Sequence, residues 1–468
     1  MFSTLAFIAA LAAAPHSTAG RPPHSTFSVA TYQGTFADGA TYLIQVPQSF
    51  NGTVVLYSHG YVLPGSANPA YDVGDGTTGA YLLEQGYALA GSSYATTGWA
   101  VQQALPDQME VLSIFPGVTG KQPTRIVAWG HSMGGLITAA LVQQNPGVFA
   151  GAMPMCGVVS GGVGFWNTQL DSAYAFNELI AGGSLQVVGI TDPTTNLDNA
   201  EGSLAYAQGS AAGQARIALA AALGNTPGWY TTGDAPPGRT DWAAQEQNQY
   251  EWLGNASFLF GFYLEAELEG RAGGNPTWNS GVDYAAELRQ SSDFDEVKHL
   301  YEAAGIDLSA DLATLDSNAD IAAVPAALQY LTQNIIFDGK LAVPVFALHT
   351  IGDGTVVNEN ETAYASAVNG AGNGAYLRQL FVNRAGHCAF TSAEEIAGFE
   401  ALIARIDSGT WTGVSPYQLN AVARALGSNY NGSFKPAYKE FTPGAFMRTY
   451  DGNPSGSRFR PALLRPGA

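Results

Sequence analysis

Residues 125–135, Arg-Ile-Val-Ala-Trp-Gly-His-Ser-Met-Gly-Gly, constrain the fold of this chain more than any other segment. Residues 126–129 form an apolar, strand-like run, and residues 136–144 carry a helical pattern that ends at Asn145-Pro146. Between them lies Gly130-His131-Ser132-Met133-Gly134, a G-x-S-x-G spacing that puts a serine on a sharp strand-to-helix turn. The glycines leave room for that turn to pack closely. The helix N-terminus, with the amide of the residue after the serine, faces any negative charge that develops there. A chain with 56 glycines produces such a pentapeptide by chance, so the flanking strand and helix carry the inference.

The 468 residues exceed one average domain, so one large core with a substantial insertion, or two domains, is expected. Hydrophobic residues make up 46% and charged residues 12%, which suits a large buried core and excludes a disordered or coiled-coil chain. A formal charge of −19 disfavours nucleic acid and anionic membranes as partners, because phosphates are repelled. The same acidity also keeps an exported protein dispersed. Residues 5–14 are apolar and are followed by small residues, so residues 1–19 read as a signal peptide and the protein as secreted, although no Lys or Arg precedes the run. No other segment approaches the roughly 18 continuous apolar residues of a membrane helix, and no stable membrane span is expected. Four N-x-S/T sequons, at Asn51, Asn255, Asn360 and Asn431, are acceptors only in a host that glycosylates.

Strand-like runs at 41–46, 53–58, 87–91 and 149–155 alternate with helical patterns at 79–85, 99–115 and 136–144. That alternation predicts an α/β fold with a mostly parallel, doubly wound sheet. From 158 to 339 the chain turns Ala-rich and helical, with stretches such as 205–223, 241–269 and 284–304; strands then resume at 343–349 and 377–382, followed by a helix at 393–406. The expected organisation is a core of residues 20–157 and 340–407, a helical cap at 158–339, and an extension at 408–468 packed back on the core. A helical block between two strands of one sheet is most simply a cap over the sheet's carboxyl edge, where open α/β sheets bind ligands.

The returning strands bring two more candidates. Asp353 sits in the Gly-flanked turn Gly352-Asp353-Gly354 after the strand ending at His349, and His387 follows the next strand in Arg384-Ala385-Gly386-His387-Cys388. A serine alcohol is a poor nucleophile at neutral pH and needs an imidazole to take its proton; the imidazole needs a carboxylate to fix its tautomer. Either turn alone is ordinary. Ser132, Asp353 and His387, in that order and each after a strand, together make a triad.

These motifs resemble those of the α/β-hydrolase superfamily, over residues 42–155 and 343–406. The resemblance implies an acyl-enzyme mechanism in which Ser132 attacks a carbonyl, His387 acts as base and then acid, and Asp353 orients the imidazole. It implies oxyanion donors at the amides of Met133 and Tyr61, the latter in His59-Gly60-Tyr61, with the His59 ring bracing that loop. Tannases and feruloyl esterases of the superfamily carry a cysteine beside each of the catalytic Ser and His, whereas His131 here precedes Ser132. The chain's two cysteines, Cys156 and Cys388, both fall at the expected active-site edge. A Cys156–Cys388 disulfide is one reading and two buried free thiols the other.

His131 is expected to point into the fold and His349 to be buried structure. Neither an HExxH metal spacing nor a phosphate-binding Gly-rich loop with its Lys occurs, so no metal and no cofactor are expected. Most cap aromatics, among them Phe165, Trp166, Trp252 and Phe260, are expected to be cap core. Three functions remain open. The first is a secreted serine carboxylester hydrolase acting on a small-molecule or polymeric ester. The second is a serine peptidase or amidase, for which Glu251, Glu265, Glu267 and Glu269 offer a charged anchor but read equally as one solvated helix face. The third is a non-catalytic binding module that keeps the fold.

Overall fold

The structure, a computed structural model, describes residues 28–452. The expected signal peptide at 1–19 and the end of the C-terminal extension lie outside the described residues. The strands are β1 (Val29–Thr35), β2 (Thr41–Pro47), β3 (Thr53–Ser58), β4 (Ala88–Ser92), β5 (Arg125–His131), β6 (Gly151–Met155), β7 (Val345–Gly352), β8 (Leu377–Ala385) and β9 (Tyr438–Lys439). They form one sheet in the order β1-β2-β4-β3-β5-β6-β7-β8-β9. From β4 to β8 every pairing is parallel, while β1, β2 and β9 join antiparallel at the edges. The chain therefore has the mostly parallel α/β-hydrolase architecture.

Parallel strands covered on both faces need apolar residues at nearly every position. All of β3 is buried, and its residues alternate between two cores. Val54 and Leu56 lie in the core shared with helices α2 (Val101–Thr119), α3 (Met133–Gln144) and α13 (Asn360–Gly370), whereas Val55 and Tyr57 lie in the core shared with α1 (Gly76–Glu84), α14 (Ser392–Ser408) and α15 (Pro416–Ala425). Helix α3 is buried on all sides from Met133 to Val142, which explains why its sequence is apolar all round.

Between β6 and β7 the chain builds helices only: α4 (Gly162–Leu179), α5 (Pro193–Ala207), α6 (Ala211–Leu223), α7 (Trp242–Trp252), α8 (Glu265–Ala272), α9 (Tyr284–Leu288), α10 (Phe294–Ala304), α11 (Leu308–Asn318) and α12 (Pro325–Asn334). They enclose a separate core around Phe176, Leu219, Phe258, Phe262 and Tyr301. Phe165, Trp166 and Phe260 instead join the core of the sheet, through Trp99. The stretch 205–223, which reads as one helix, is two, because the Ser210 side chain accepts the Gly213 amide and caps a new start. The stretch 284–304 likewise divides into α9 and α10. Strand β1 has no apolar run to announce it, since it is an edge strand with much of its surface exposed. Two π-helical turns, Leu253–Ser257 and Phe260–Leu264, join α7 to α8. No helix among the described residues is long and apolar enough to cross a membrane. Of the four sequons, Asn51 is exposed, whereas Asn360 and Asn431 are buried.

The C-terminal extension does more than pack on the sheet. After α16 (Ser428–Asn431) and β9 it runs on into the cap, where buried Arg448 Nη1 donates to both oxygens of Asp171 on α4 (2.7 and 2.5 Å) and Nη2 to the Trp278 carbonyl (2.6 Å). Tyr284 Oη also donates to Asp171 (3.1 Å). Removing one partner of a buried pair strands the other charge. Arg448→Met should lower unfolding free energy by about 3 to 5 kcal/mol in urea titrations, and a loss below about 1 kcal/mol would show that the strap carries no load.

Candidate active site

The serine turn is strained, and the strain is located at the serine. Ser132 has φ 59° and ψ −126°, a conformation that non-glycine residues rarely hold. It persists because neighbouring backbone fixes both sides: the Ser132 amide donates to the Met155 carbonyl of β6 (3.0 Å), and Gly135 and Leu136 return amides to the Ser132 carbonyl. A Cβ at Gly134 would run into the Ser58 and His59 carbonyls, so only glycine lets β3 come this close.

The structure brings Ser132, His387 and Asp353 into one hydrogen-bonded line. His387 Nε2 lies 2.9 Å from Ser132 Oγ, and His387 Nδ1 lies 2.8 and 3.1 Å from the two Asp353 oxygens. Asp353 is fully buried, and its Oδ1 accepts the amides of Thr355 and Val356 (3.0 Å each). Burial alone would raise this carboxyl, but the His387 and His349 imidazoles outweigh it and hold Asp353 at about 2. Ser132 retains 9% of its surface exposed.

His349 is buried in the structure and contacts the acid of the line. Its Nε2 donates to the Val356 carbonyl (2.7 Å) and lies 3.6 Å from Asp353 Oδ2, while Nδ1 meets Glu361 Oε1 (3.2 Å). Burial disfavours its charge, yet the bonds to Asp353 and Glu361 win and raise it to about 10. His131 points away from Ser132 into the fold, between Tyr57 Oη (3.2 Å) and Glu395 (2.9 Å).

Met133 opens α3, so its amide has no acceptor within the helix. Tyr61 lies in the loop after β3, where Gly60 backs directly onto Ser132: a Cβ there would stand 3.3 Å from the serine Cβ. His59 braces this loop, with Nδ1 on the Gly60 carbonyl (2.8 Å), Nε2 on the Ser93 carbonyl (3.1 Å) and its ring stacked on Tyr94 at 3.9 Å. Burial pulls its pKa down.

Cys156 and Cys388 form a disulfide, so the free-thiol reading is wrong. It ties the residue after β6 to the residue after His387. Arg384 supports the same loop, donating to the Ala389 carbonyl (2.6 Å) and to Glu394 (2.7 and 3.1 Å). Nothing in the sequence marks Arg384 or Glu361 for these contacts. The cap glutamates do not form one solvated face: Glu265 is buried beside Thr277 and Glu267 pairs with Arg271, whereas half-exposed Glu269 accepts the Gly189 amide and half-exposed Glu251 accepts from Gln247 and Asn255.

This geometry can activate a serine, receive an oxyanion and return a proton. Comparison with known proteins agrees in kind. Residues 84–179 match the sequence model of the prolyl oligopeptidase family, Peptidase_S9. The chain is 29% identical over 434 residues to an o-phthalyl amidase of Xanthobacter agilis, covering 86% of this chain and 92% of that one. Among solved structures, the rice cell wall degrading esterase LipA of Xanthomonas oryzae is 14% identical with a TM-score of 0.38, covering 86% of this chain and 94% of that chain. An esterase of Aspergillus oryzae is 12% identical with a TM-score of 0.43, covering 82% and 80%. The fold is that of the α/β hydrolases, and the sequence matches are consistent with that superfamily. Within it, the protein is a serine hydrolase.

Two outcomes follow from the site. Reduction of the disulfide should free the His387 loop and lower kcat on a chromogenic ester by roughly tenfold or more with far-UV circular dichroism unchanged; full activity after complete reduction would refute the restraint. Stability should fall as pH rises. Burial holds Glu296 at about 9, Glu359 at about 8 and Glu246 at about 7, all above the 4.5 of an exposed glutamate. Above about pH 4.5 the unfolded chain has lost protons that the folded protein keeps, so stability declines toward each raised value. His349 adds the same sign, its contribution complete below 6.5 and lost as pH rises through about 10. Asp353 acts oppositely, losing its contribution only as pH falls from 3.8 toward about 2. Melting temperature should be higher near about pH 5.5 than near about pH 8.5, with Glu296→Gln flattening the slope; a rising profile would contradict this.

Proposed function

We propose that the protein is an exported hydrolase of carboxylic esters that works through an acyl-enzyme. The observation that carries this reading is the unbroken Ser132–His387–Asp353 line at 2.9 and 2.8 Å. His387 Nε2 takes the Ser132 proton as Oγ attacks the ester carbonyl, and Asp353 stabilises the imidazolium that forms. The amides of Met133 and Tyr61 receive the oxyanion. The imidazolium then gives its proton to the departing alcohol, and water, deprotonated by the same His387, releases the acid and regenerates Ser132. Neither a metal nor a cofactor has a part in these steps. The expected partner is a small-molecule or polymeric ester, not nucleic acid, for which the charge of −19 is unsuited. Export is supported by the apolar run at residues 5–14 and by a disulfide, a bond that persists in oxidising compartments.

A second reading is amide cleavage, supported by the relative named o-phthalyl amidase, 29% identical over 434 residues. The same groups serve it, with His387 protonating the departing nitrogen. The Glu251–Glu269 segment gives a peptidase no free carboxylate to hold a peptide terminus, so small aryl amides suit this second reading better than peptides. The binding-module reading leaves the ordered line without a purpose.

A panel of aryl esters, triglycerides, polyesters, phthalyl amides and aminoacyl amides decides between the readings. The expected result is fastest turnover on esters, abolished in Ser132→Ala, with a fluorophosphonate labelling Ser132. Faster turnover of phthalyl amides would favour the second reading. A protein that neither turns over any member of the panel nor takes the label is not a serine hydrolase acting through Ser132.

A further inference from the structure

The loop carrying the Tyr61 amide is held from two sides, and one of them is the cap. On the core side stand His59 and Tyr94, whose hydroxyl donates to the His59 carbonyl (3.0 Å). On the cap side the Tyr61 hydroxyl donates to Glu267 Oε2 of α8 (3.2 Å), and its ring meets Phe260 edge-on at 6.1 Å. Glu267 Oε2 also accepts the Trp99 amide (3.1 Å). Its other oxygen is fixed by Arg271 one turn later, through Nε (2.8 Å) and Nη2 (2.6 Å). Arg271 in turn reaches the Thr97 carbonyl (2.6 Å) and Thr96 Oγ1 (3.1 Å).

The loop of residues 94–99 and the loop of residues 59–62 are themselves joined, since the Gly98 amide donates to the Val62 carbonyl (2.7 Å). Gly98 has φ +79°, and a Cβ there would strike Glu267 and lie 2.9 Å from Arg271 Nη2, so the backbone approaches the ion pair as closely as a chain can. Burial first, and Glu267 second, push the Tyr61 hydroxyl well above its usual range, so it remains a protonated donor. A charged acceptor makes this the stronger kind of hydrogen bond. Nothing in this network touches Ser132 or His387. Its mechanical effect falls on one element of the site, the oxyanion loop.

We propose that Glu267, clamped by Arg271, is a positioning residue for acyl transfer, fixing the Tyr61 amide through the Tyr61 side chain so that the cap is required for transition-state stabilisation. The inference rests on the oxyanion role assigned to Tyr61 above. An oxyanion donor acts mainly on the transition state, so a misplaced loop lowers kcat and spares KM.

The test uses Tyr61→Phe, Glu267→Ala and Glu267→Gln in the full chain, with active sites titrated by a fluorophosphonate and with an aryl trifluoromethyl ketone as tetrahedral analogue. Tyr61→Phe keeps the backbone amide and loses only the hydroxyl. Expected are a fall in kcat per titrated site of roughly tenfold or more in Tyr61→Phe and Glu267→Ala, KM within about threefold, and a matching rise in the Ki of the ketone. Glu267→Gln, which still offers Tyr61 an acceptor, should recover part of the loss. A purely structural role would lower the titrated fraction and leave kcat per site and Ki within about twofold, and that result overturns the proposal. Wild-type protein that fails to take the label or turn over ester defeats instead the hydrolase reading on which it rests.

Discussion

The approach of β3 to the serine turn is the constraint on which the rest depends. Ser58 and His59 bring their carbonyls against Gly130 and Gly134, leaving no room for a side chain at either glycine. That contact holds Ser132 in a backbone conformation it would not otherwise keep. It also delivers the next residues of β3's loop, Gly60 and Tyr61, to the serine's side. Candidate nucleophile and candidate oxyanion donor are therefore placed by one packing event between two adjacent parallel strands, paired from Thr53–Arg125 to Ser58–Gly130. The glycines serve close approach here, a role distinct from chain flexibility.

Asp353 shows how the acid is kept charged where burial opposes charge. Two imidazoles face it, two backbone amides donate to it, and Glu361 backs the more distant imidazole. An isolated carboxylate so placed would protonate. The cluster instead surrounds the Asp353 carboxylate with partners drawn from β7, from the loops after β7 and β8, and from α13. The disulfide and the Arg384–Glu394 pair then fix the loop through which His387 reaches in, so both ends of the line are anchored to the sheet.

Much of this is legible from the chain because it depends on short-range signals. Alternating apolar runs give the parallel sheet, and the Ser132, Asp353 and His387 turns each follow such a run. What is not legible depends on partners far apart in sequence. Edge strand β1 lacks an apolar pattern because much of it faces solvent. Glu361, Arg384 and Arg448 are ordinary charged residues until the fold buries them against His349, Glu394 and Asp171. Glu267 and its neighbours have helical spacing compatible with a wetted face. Only tertiary packing shows Glu265 buried beside Thr277 and Glu267 paired with Arg271, on a helix that follows two π-helical turns at Leu253–Ser257 and Phe260–Leu264.

The cap also touches the loops that carry the hydrogen-bonded line. Trp252 lies over Gly354 so closely that a side chain there could not fit, and its indole donates to the Trp229 carbonyl (2.9 Å) beside Gly352. Thr232 stands against Gly386, where a Cβ would lie 2.8 Å from its hydroxyl. Glu267 holds Tyr61. Each loop that carries Asp353, His387 or Tyr61 thus meets a cap residue. Displacing the cap as a body would break its contacts with all three loops at once. The C-terminal strap works to the same end: Arg448 joins α4 to the chain beyond β9, so the cap is secured by covalent connection at both ends and by an ion pair to a third segment.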